Sequence, residues 1–359
     1  MENVLKNISE SFDLKENSLS SLTLEELVGV VEKYGEKSFR AKQIYEGITL
    51  GKDLKELSNI SSALKQKISA DYSLQGAKIR NKFISKDGTV KYLFELFDGN
   101  IVEGVLMKYT YGNTICISTH VGCRMGCVFC ASGINGLKRN MTAGEMLSEV
   151  LLVNEDVRAD KQRAITNIVL MGTGEPLDNF ENVVKFIRLV SDERGINISQ
   201  RNISLSTSGL VNGIERLLDE KLKINLTISM HSLDDNRRKQ IMPVANRYTV
   251  DELIKAAKKY FDETGRRVYF EYSMIENFND RDEDIELIAT KLKGFPLHLN
   301  LIRLNYVKEA GLKGTSKERI NEFMKALDKH GISNTLRRNM GSDISGACGQ
   351  LRRKYGVDQ

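Results

Sequence analysis

The 359-residue sequence has only 3 prolines and no tryptophan, and no apolar run in it approaches the length of a membrane span. About 20 consecutive apolar residues are needed to cross a bilayer as a helix, so a membrane-spanning helix is excluded. The opening Met1-Glu-Asn-Val-Leu-Lys-Asn7 lacks the basic-then-apolar order of a secretion signal, and a cytoplasmic location is expected. Cysteine is sparse and odd in number, 5 residues with three crowded into one stretch. That pattern excludes a disulfide framework and points to metal and thiol chemistry in a reducing compartment. The remainder, 41% hydrophobic and 28% charged, is a globular composition with length for one large domain and an accessory one.

Charge is unevenly placed. The net value is +5, yet residues 105–141 carry Lys108, Arg124, Lys138 and Arg139 without an acid. Residues 331–359 add Arg337, Arg338, Arg352, Arg353 and Lys354 against Asp343 and Asp358. A basic rim round a reactive site suits a polyanionic substrate.

The crowded cysteines form Cys123-Arg-Met-Gly-Cys127-Val-Phe-Cys130, a C-x3-C-x2-C triplet directly after a β-like run, Thr114–Thr119. Structural zinc takes four ligands, usually from two separated pairs, and this loop supplies no fourth. Iron–sulfur clusters also take closely spaced cysteines, and three on a four-iron cube leave one iron open. Residue types alone leave both readings standing.

Along the chain, residues 1–78 read as a small helical module. Leu24, Leu27, Val28 and Val31 mark one helical face, Ser38 is an expected cap for a second helix, and a third falls near Ile60–Ile68. Residues 81–111 read as a β-meander with hairpin turns at Asp87-Gly88 and Asp98-Gly99. Its third strand holds Glu103 among apolar neighbours, a carboxylate that is paired, raised in pKa or part of a site. From residue 112 to about 340 strands and helices alternate, with strands at 114–119, 167–171, 202–207, 223–230, 267–275 and 297–304. Helices are expected near 143–157, 181–194, 213–221, 250–265, 282–294 and 317–330, the fourth burying Val250, Leu253, Ile254, Ala257 and Phe261. Such alternation predicts a parallel sheet in a complete or partial (β/α)6 TIM-like barrel, with its site at the strand C-termini.

Polar loops do follow those strands. They are the cysteine triplet, Met171-Gly-Thr-Gly-Glu-Pro176, Ser206-Thr-Ser-Gly209, Ser229-Met-His231 and Leu304-Asn-Tyr306. The last segment, 341–359, places Cys348 in a glycine-rich loop beside a basic tail, where exposure near Arg352 and Arg353 leans toward reactivity.

The triplet followed by Gly-Thr-Gly-Glu-Pro resembles the radical S-adenosylmethionine (SAM) superfamily. Agreement is closer with one branch, the ribosomal RNA adenine C2 methyltransferases that also act on transfer RNA. It is carried by Val121-Gly-Cys-Arg-Met-Gly-Cys-Val-Phe-Cys-Ala131, Gly136-Leu-Lys-Arg-Asn140, Met171–Leu177, Ser206–Gly209, Ser229–His231 and Ala347-Cys-Gly-Gln-Leu351. It covers essentially the whole chain; Met230 stands where Leu is usual and Thr173 where a hydrophobic residue is common.

The resemblance implies a radical SAM barrel with a small helical N-terminal domain and a β-meander extension. It implies that Cys123, Cys127 and Cys130 hold one [4Fe–4S] cluster, and that Gly174, Glu175, Ser206, Ser229, Met230, His231 and Asn305 contact S-adenosyl-L-methionine, two molecules per turnover. Cys348 would be the S-methylcysteine intermediate, Cys116 the resolving thiol that forms a transient disulfide with it, and Glu103 the proton acceptor. Implied partners are 23S rRNA, tRNA and a flavodoxin or ferredoxin electron donor, with the protein a monomer and no membrane involved.

Two rivals stand beside this reading. One is C8 methylation of the same adenine, the antibiotic-resistance activity; Pro176 and Ser208 resemble the C2 group instead. The other is a non-catalytic, metal-containing RNA-binding protein, which would have no need of Cys348 or Cys116.

Overall fold

A computed structural model describes residues 14–50, 52–158 and 164–351. The basic residues Arg352, Arg353 and Lys354, invoked beside Cys348, lie outside the described residues, as does Met1–Asn7.

The N-terminal module holds helices α1 (Leu24–Lys33), α2 (Phe39–Ile48) and α3 (Ser62–Asp71). A capping box starts α1: the Thr23 hydroxyl accepts the Glu26 N–H, and the Glu26 carboxylate accepts the Thr23 N–H. The helix buries Leu27, Val30 and Val31, while Leu24 and Val28 are only half-buried. The expected Ser38 cap is not formed; Ser38 is itself helical, and its side chain makes no capping bond. The module joins the main core rather than standing apart. Gly76 N–H donates to Ser148 Oγ at 2.8 Å, and a Cβ at Gly144 would collide with Ser21.

Strands β1 (Ala77–Ile84), β2 (Val90–Leu96) and β3 (Ile101–Tyr109) form the antiparallel meander. The meander expected over 81–111 is continuous with the barrel sheet. β3 pairs antiparallel with β4 (Gly112–Cys116), setting Val105 opposite Cys116. A two-stranded ribbon, β5 (His120–Gly122) and β6 (Leu137–Asn140), then brackets the cysteine loop.

The parallel strands are β4, β7 (Ile165–Leu170), β8 (Ile203–Thr207), β9 (Asn225–Ser229), β10 (Val268–Met274), β11 (Leu297–Arg303) and a short β12 (Asn334–Leu336), which adds one strand to the six expected. The sheet has ten strands in linear order, with β1 and β12 at its edges, so the barrel is open. Between and after the strands lie α4 (Ala143–Val157), α5 (Phe180–Ser191), α6 (Val211–Asp219), α7 (Asp235–Ile241), α8 (Val250–Thr264), α9 (Asp282–Leu292) and α10 (Lys317–Lys329). In α8 the buried stripe is Val250, Leu253, Ala256, Ala257 and Tyr260. Phe261, expected in that stripe, sits at its margin and meets Phe295 edge-on. Among the described residues no helix is long and apolar enough to cross a membrane.

Alternate residues of a strand face the same side. Here they divide each strand's inner face between two ends of the barrel, with Ser204 low and Ser206 high on β8, and Asn225 low and Ser229 high on β9.

Candidate active site

The strand C-termini enclose a cleft of about 910 Å³, counted with its open mouth. Cys123, Cys127 and Cys130 line it together with Gly174, Glu175, Ser206, Ser229, His231, Asn305 and Cys348. Three of the expected residues lie elsewhere. The Met230 side chain is fully buried in the core. Cys116 lines an adjoining chamber of about 540 Å³, which Cys348 borders from its other side. Glu103 is buried on β3 with its Oε1 3.1 Å from Lys91 Nζ. Of the alternatives open to it on sequence grounds, Glu103 is thus paired.

Local folding explains how each group is held. Cys123 N–H donates to Gly136 O at 3.1 Å, fastening the cysteine loop to its ribbon. Gly174 has φ +114°, a left-handed conformation, and a Cβ there would collide with the His120 ring. Glu175 is spent on its own loops: Oε2 accepts the Ser208 N–H at 2.6 Å and Oε1 the Leu177 N–H at 3.1 Å. Burial raises its pKa despite those bonds. His231 Nδ1 accepts the Ser273 N–H at 2.9 Å, and burial lowers its pKa to about 3, so the ring is neutral.

Cys348 is brought over the cleft by backbone bonds of its loop. Ala131 N–H donates to Gly349 O at 2.8 Å, Ser132 Oγ to Leu351 O at 2.7 Å, and Asn305 Nδ2 to Cys348 O at 2.9 Å. The C-terminal loop is therefore tied to the residues directly after Cys130. All five cysteines are free thiols, so Cys116 and Cys348 flank one chamber without the disulfide the resemblance implies.

Two residues escaped sequence reasoning. Arg337, just past β12, borders the cleft and the chamber, and it donates to Glu271 Oε1 at 2.6 Å. Nearby Cys348 is the largest influence raising its pKa, followed by Glu271 and Cys116 in the same sense, with burial opposing. Its only sequence signal was basic charge in the tail, which pointed equally to Arg352 and Arg353. Arg238 is fully buried and bonds the carbonyls of Met230, Ser208 and Ser229, tying two strand-end loops together.

The residues fit a cationic cluster with an organic cofactor. Burial pushes the Cys123 thiol up to about 12 and raises Cys127 and Cys130 as well, a cost that iron coordination reverses. Buried Ser208 Oγ and Arg238 Nη1 have no hydrogen-bond partner, and Ser208 lines the cleft. Among the described residues no three His, Cys, Asp or Glu side chains are placed to hold a single metal ion.

Residues 117–289 match the radical SAM superfamily, and residues 17–73 match the ribosomal RNA large subunit methyltransferase N-terminal domain. The chain is 49% identical over 339 residues to the probable dual-specificity RNA methyltransferase RlmN of Alkaliphilus oremlandii, covering 94% of this chain and 98% of that protein. The chain belongs to the RlmN family. The RlmN protein of Clostridium novyi, described in the same words, is 46% identical over 341 residues, with 94% and 98% covered. The crystal structure of a radical SAM methyltransferase from Sphaerobacter thermophilus superposes with TM-score 0.90 at 40% identity, covering 94% of this chain and all of that one. Membership in the RlmN family confirms the partial radical SAM barrel and makes the chain a methyltransferase. The spacing of Cys123, Cys127 and Cys130 is that of the superfamily, consistent with a [4Fe–4S] site and S-adenosylmethionine binding.

Proposed function

We propose that this protein methylates C2 of an adenine in 23S rRNA and of an adenine in tRNA, through a methyl group carried on Cys348. The observation that carries the reading is the position of Cys348, which borders both the three-cysteine cleft and the chamber of Cys116. A non-catalytic RNA-binding protein has no use for two such thiols, and methyltransferase relatives along 94% of the chain weigh against it too.

C2 of adenine is electron-poor, so direct displacement by the ring carbon is unavailable and a cofactor must supply the activation. Cys123, Cys127 and Cys130 would hold the cluster, and Gly174, Ser206, Ser229, His231 and Asn305 face the space for S-adenosylmethionine. Bound there, these groups would supply a methyl group and, after one-electron reduction from a flavodoxin or ferredoxin, a hydrogen-abstracting radical, at a cost of two S-adenosylmethionine molecules per turnover.

The chain's own residues do the rest. Cys348 takes the methyl on sulfur, since a thiolate is a strong nucleophile near neutral pH. Once a hydrogen atom has been removed from the S-methyl group, its carbon adds to C2 and leaves Cys348 bridged to the RNA through a methylene. Glu103 accepts the C2 proton, with Lys91 as its counter-charge, and the one surplus electron would pass to the oxidised cluster. Cys116 attacks the Cys348 sulfur; the methylene carbon departs with the C–S electron pair and takes a proton to become the methyl group, leaving a disulfide that an external thiol reduces. Burial raises the Cys116 pKa, so in this structure it rests as a thiol.

The test is mass spectrometry of nucleosides from an rRNA fragment treated with reconstituted enzyme, S-adenosylmethionine and dithionite. The expected product is 2-methyladenosine. Formation of 8-methyladenosine would transfer the protein to the resistance activity, and unmodified RNA with an intact cluster would overturn the substrate assignment.

A further inference from the structure

The cleft lies at the C-terminal ends of the strands. At the strand N-termini a second cavity, about 1050 Å³ counted with its mouth, runs up the inside of the sheet. Its wall mixes the amides and hydroxyls of Asn167, Asn202, Ser204, Asn225, Asn300 and Thr335, on or beside β7, β8, β9, β11 and β12, with apolar side chains from β3 and β7. Higher on the same strands, Met171, Ser206, Ser229 and Ile302 line the cleft. Arg337 borders this lumen as well as the chamber of Cys116 and Cys348, and Met107 does the same from β3. The lumen thus adjoins the chamber of Cys348 and shares Met107, Arg337 and Arg338 with it as lining residues.

An aromatic pair stands at its mouth. Tyr109 and Tyr111, on the β3–β4 hairpin, stack with ring centroids 4.9 Å apart and planes 8° from parallel. Both rings line the lumen, yet Tyr111 is 70% exposed, so the pair leaves a ring face open to solvent. Arg338 adds a positive charge on the same wall. An open aromatic face beside a cation is how proteins hold single-stranded nucleic acid, because every base has a face to stack. The amides and hydroxyls on the wall behind it can bond the edges of an extruded base, and the apolar side chains between them can pack against its faces.

We propose that the Tyr109–Tyr111 pair is the stacking platform for an RNA base next to the target adenine, and that the lumen behind it admits the extruded adenine toward Cys348. The inference rests on the RNA methyltransferase reading and says how the substrate is held.

The test uses reconstituted full-length enzyme and a 5′-fluorescein-labelled RNA hairpin with unpaired adenines in its loop, read by fluorescence anisotropy. Tyr111→Ala is expected to weaken binding about 10-fold, and Tyr111→Phe, which keeps the stacking face, to stay within about twofold of wild type. Thermal unfolding of both variants should match wild type, since the side chain is exposed. Equal binding by Tyr111→Ala and wild type would overturn the platform, as would an equal loss in Tyr111→Phe. A wild-type enzyme that ignores the hairpin would overturn the RNA reading itself. The same hairpin with 8-azidoadenosine at the target position, photolysed on the enzyme, should cross-link to peptides of β7, β8, β9 or β11; cross-links confined to other segments would refute the lumen route.

Discussion

Arg337 donates to Glu271 across 2.6 Å and lines one chamber together with Cys348 and Cys116. One carboxylate thus aims a cation that serves two thiols in turn. A guanidinium stays charged at any working pH, so it favours negative charge on whichever sulfur is reacting. Arg337→Met should slow alkylation of Cys348 by iodoacetamide at neutral pH about tenfold, followed by mass spectrometry of the C-terminal peptide. Arg337→Lys should recover part of the rate. Unchanged alkylation in Arg337→Met would remove the guanidinium from the thiol chemistry.

The two thiols themselves separate by what accumulates. Cys348→Ala should abolish RNA methylation. Cys116→Ala should still let Cys348 receive a methyl group, then trap a protein–RNA adduct visible as a shifted band in a denaturing gel. Normal turnover by Cys116→Ala would end its assignment as the resolving thiol.

Lys91 and Glu103 are a buried pair, 3.1 Å apart, with 5% and 3% of their side chains exposed. Removing one partner of such a pair costs far more than removing both, because the remaining charge loses its compensation. Lys91→Met should lower stability in urea by about 3–5 kcal/mol, and Lys91→Met with Glu103→Gln should recover most of it. A single-variant loss below about 1 kcal/mol would show that the ammonium is dispensable to the fold.

Glu149, on α4, is a second buried carboxyl. Ser118 N–H reaches its Oε2 at 3.5 Å, while Oε1 has no hydrogen-bond partner among the described residues. Burial raises its pKa well above the ordinary carboxylate value. The folded state therefore keeps a proton that the unfolded chain releases above its own carboxylate pKa. Stability is full below that value and falls as pH rises toward the folded pKa, by up to about 1.4 kcal/mol per pH unit. Glu149→Gln removes this dependence. Its urea midpoint should match wild type near pH 4.5 and exceed it at pH 8; a gap that does not grow with pH would mean the carboxyl is ionised in the fold.

How much of this was legible beforehand follows from the range of the interactions involved. Helix α4 begins and ends at the residues expected, 143–157, because its Thr142–Glu145 capping box and its apolar run are local signals. Polar loops behind the strands, and with them most of the cleft, were equally legible, since strand alternation and parallel topology dictate which end they share. Ser38 failed as a cap for a local reason of the opposite kind, its backbone having been drawn into the helix.

The sequence by itself determined the triplet, the order of βα units and the family, all of which are written in short spacings and continuous stretches. It was silent on what stands opposite what. Tertiary structure alone decided that Lys91 meets Glu103, that Arg337 and Cys348 border the same cleft and chamber, and that Met230 turns into the core. It alone brought the C-terminal loop back to Ala131 and Ser132, across more than two hundred residues of chain. Those contacts depend on how an open ten-stranded sheet curves, and its curvature is a property of the assembled packing, which no local spacing encodes.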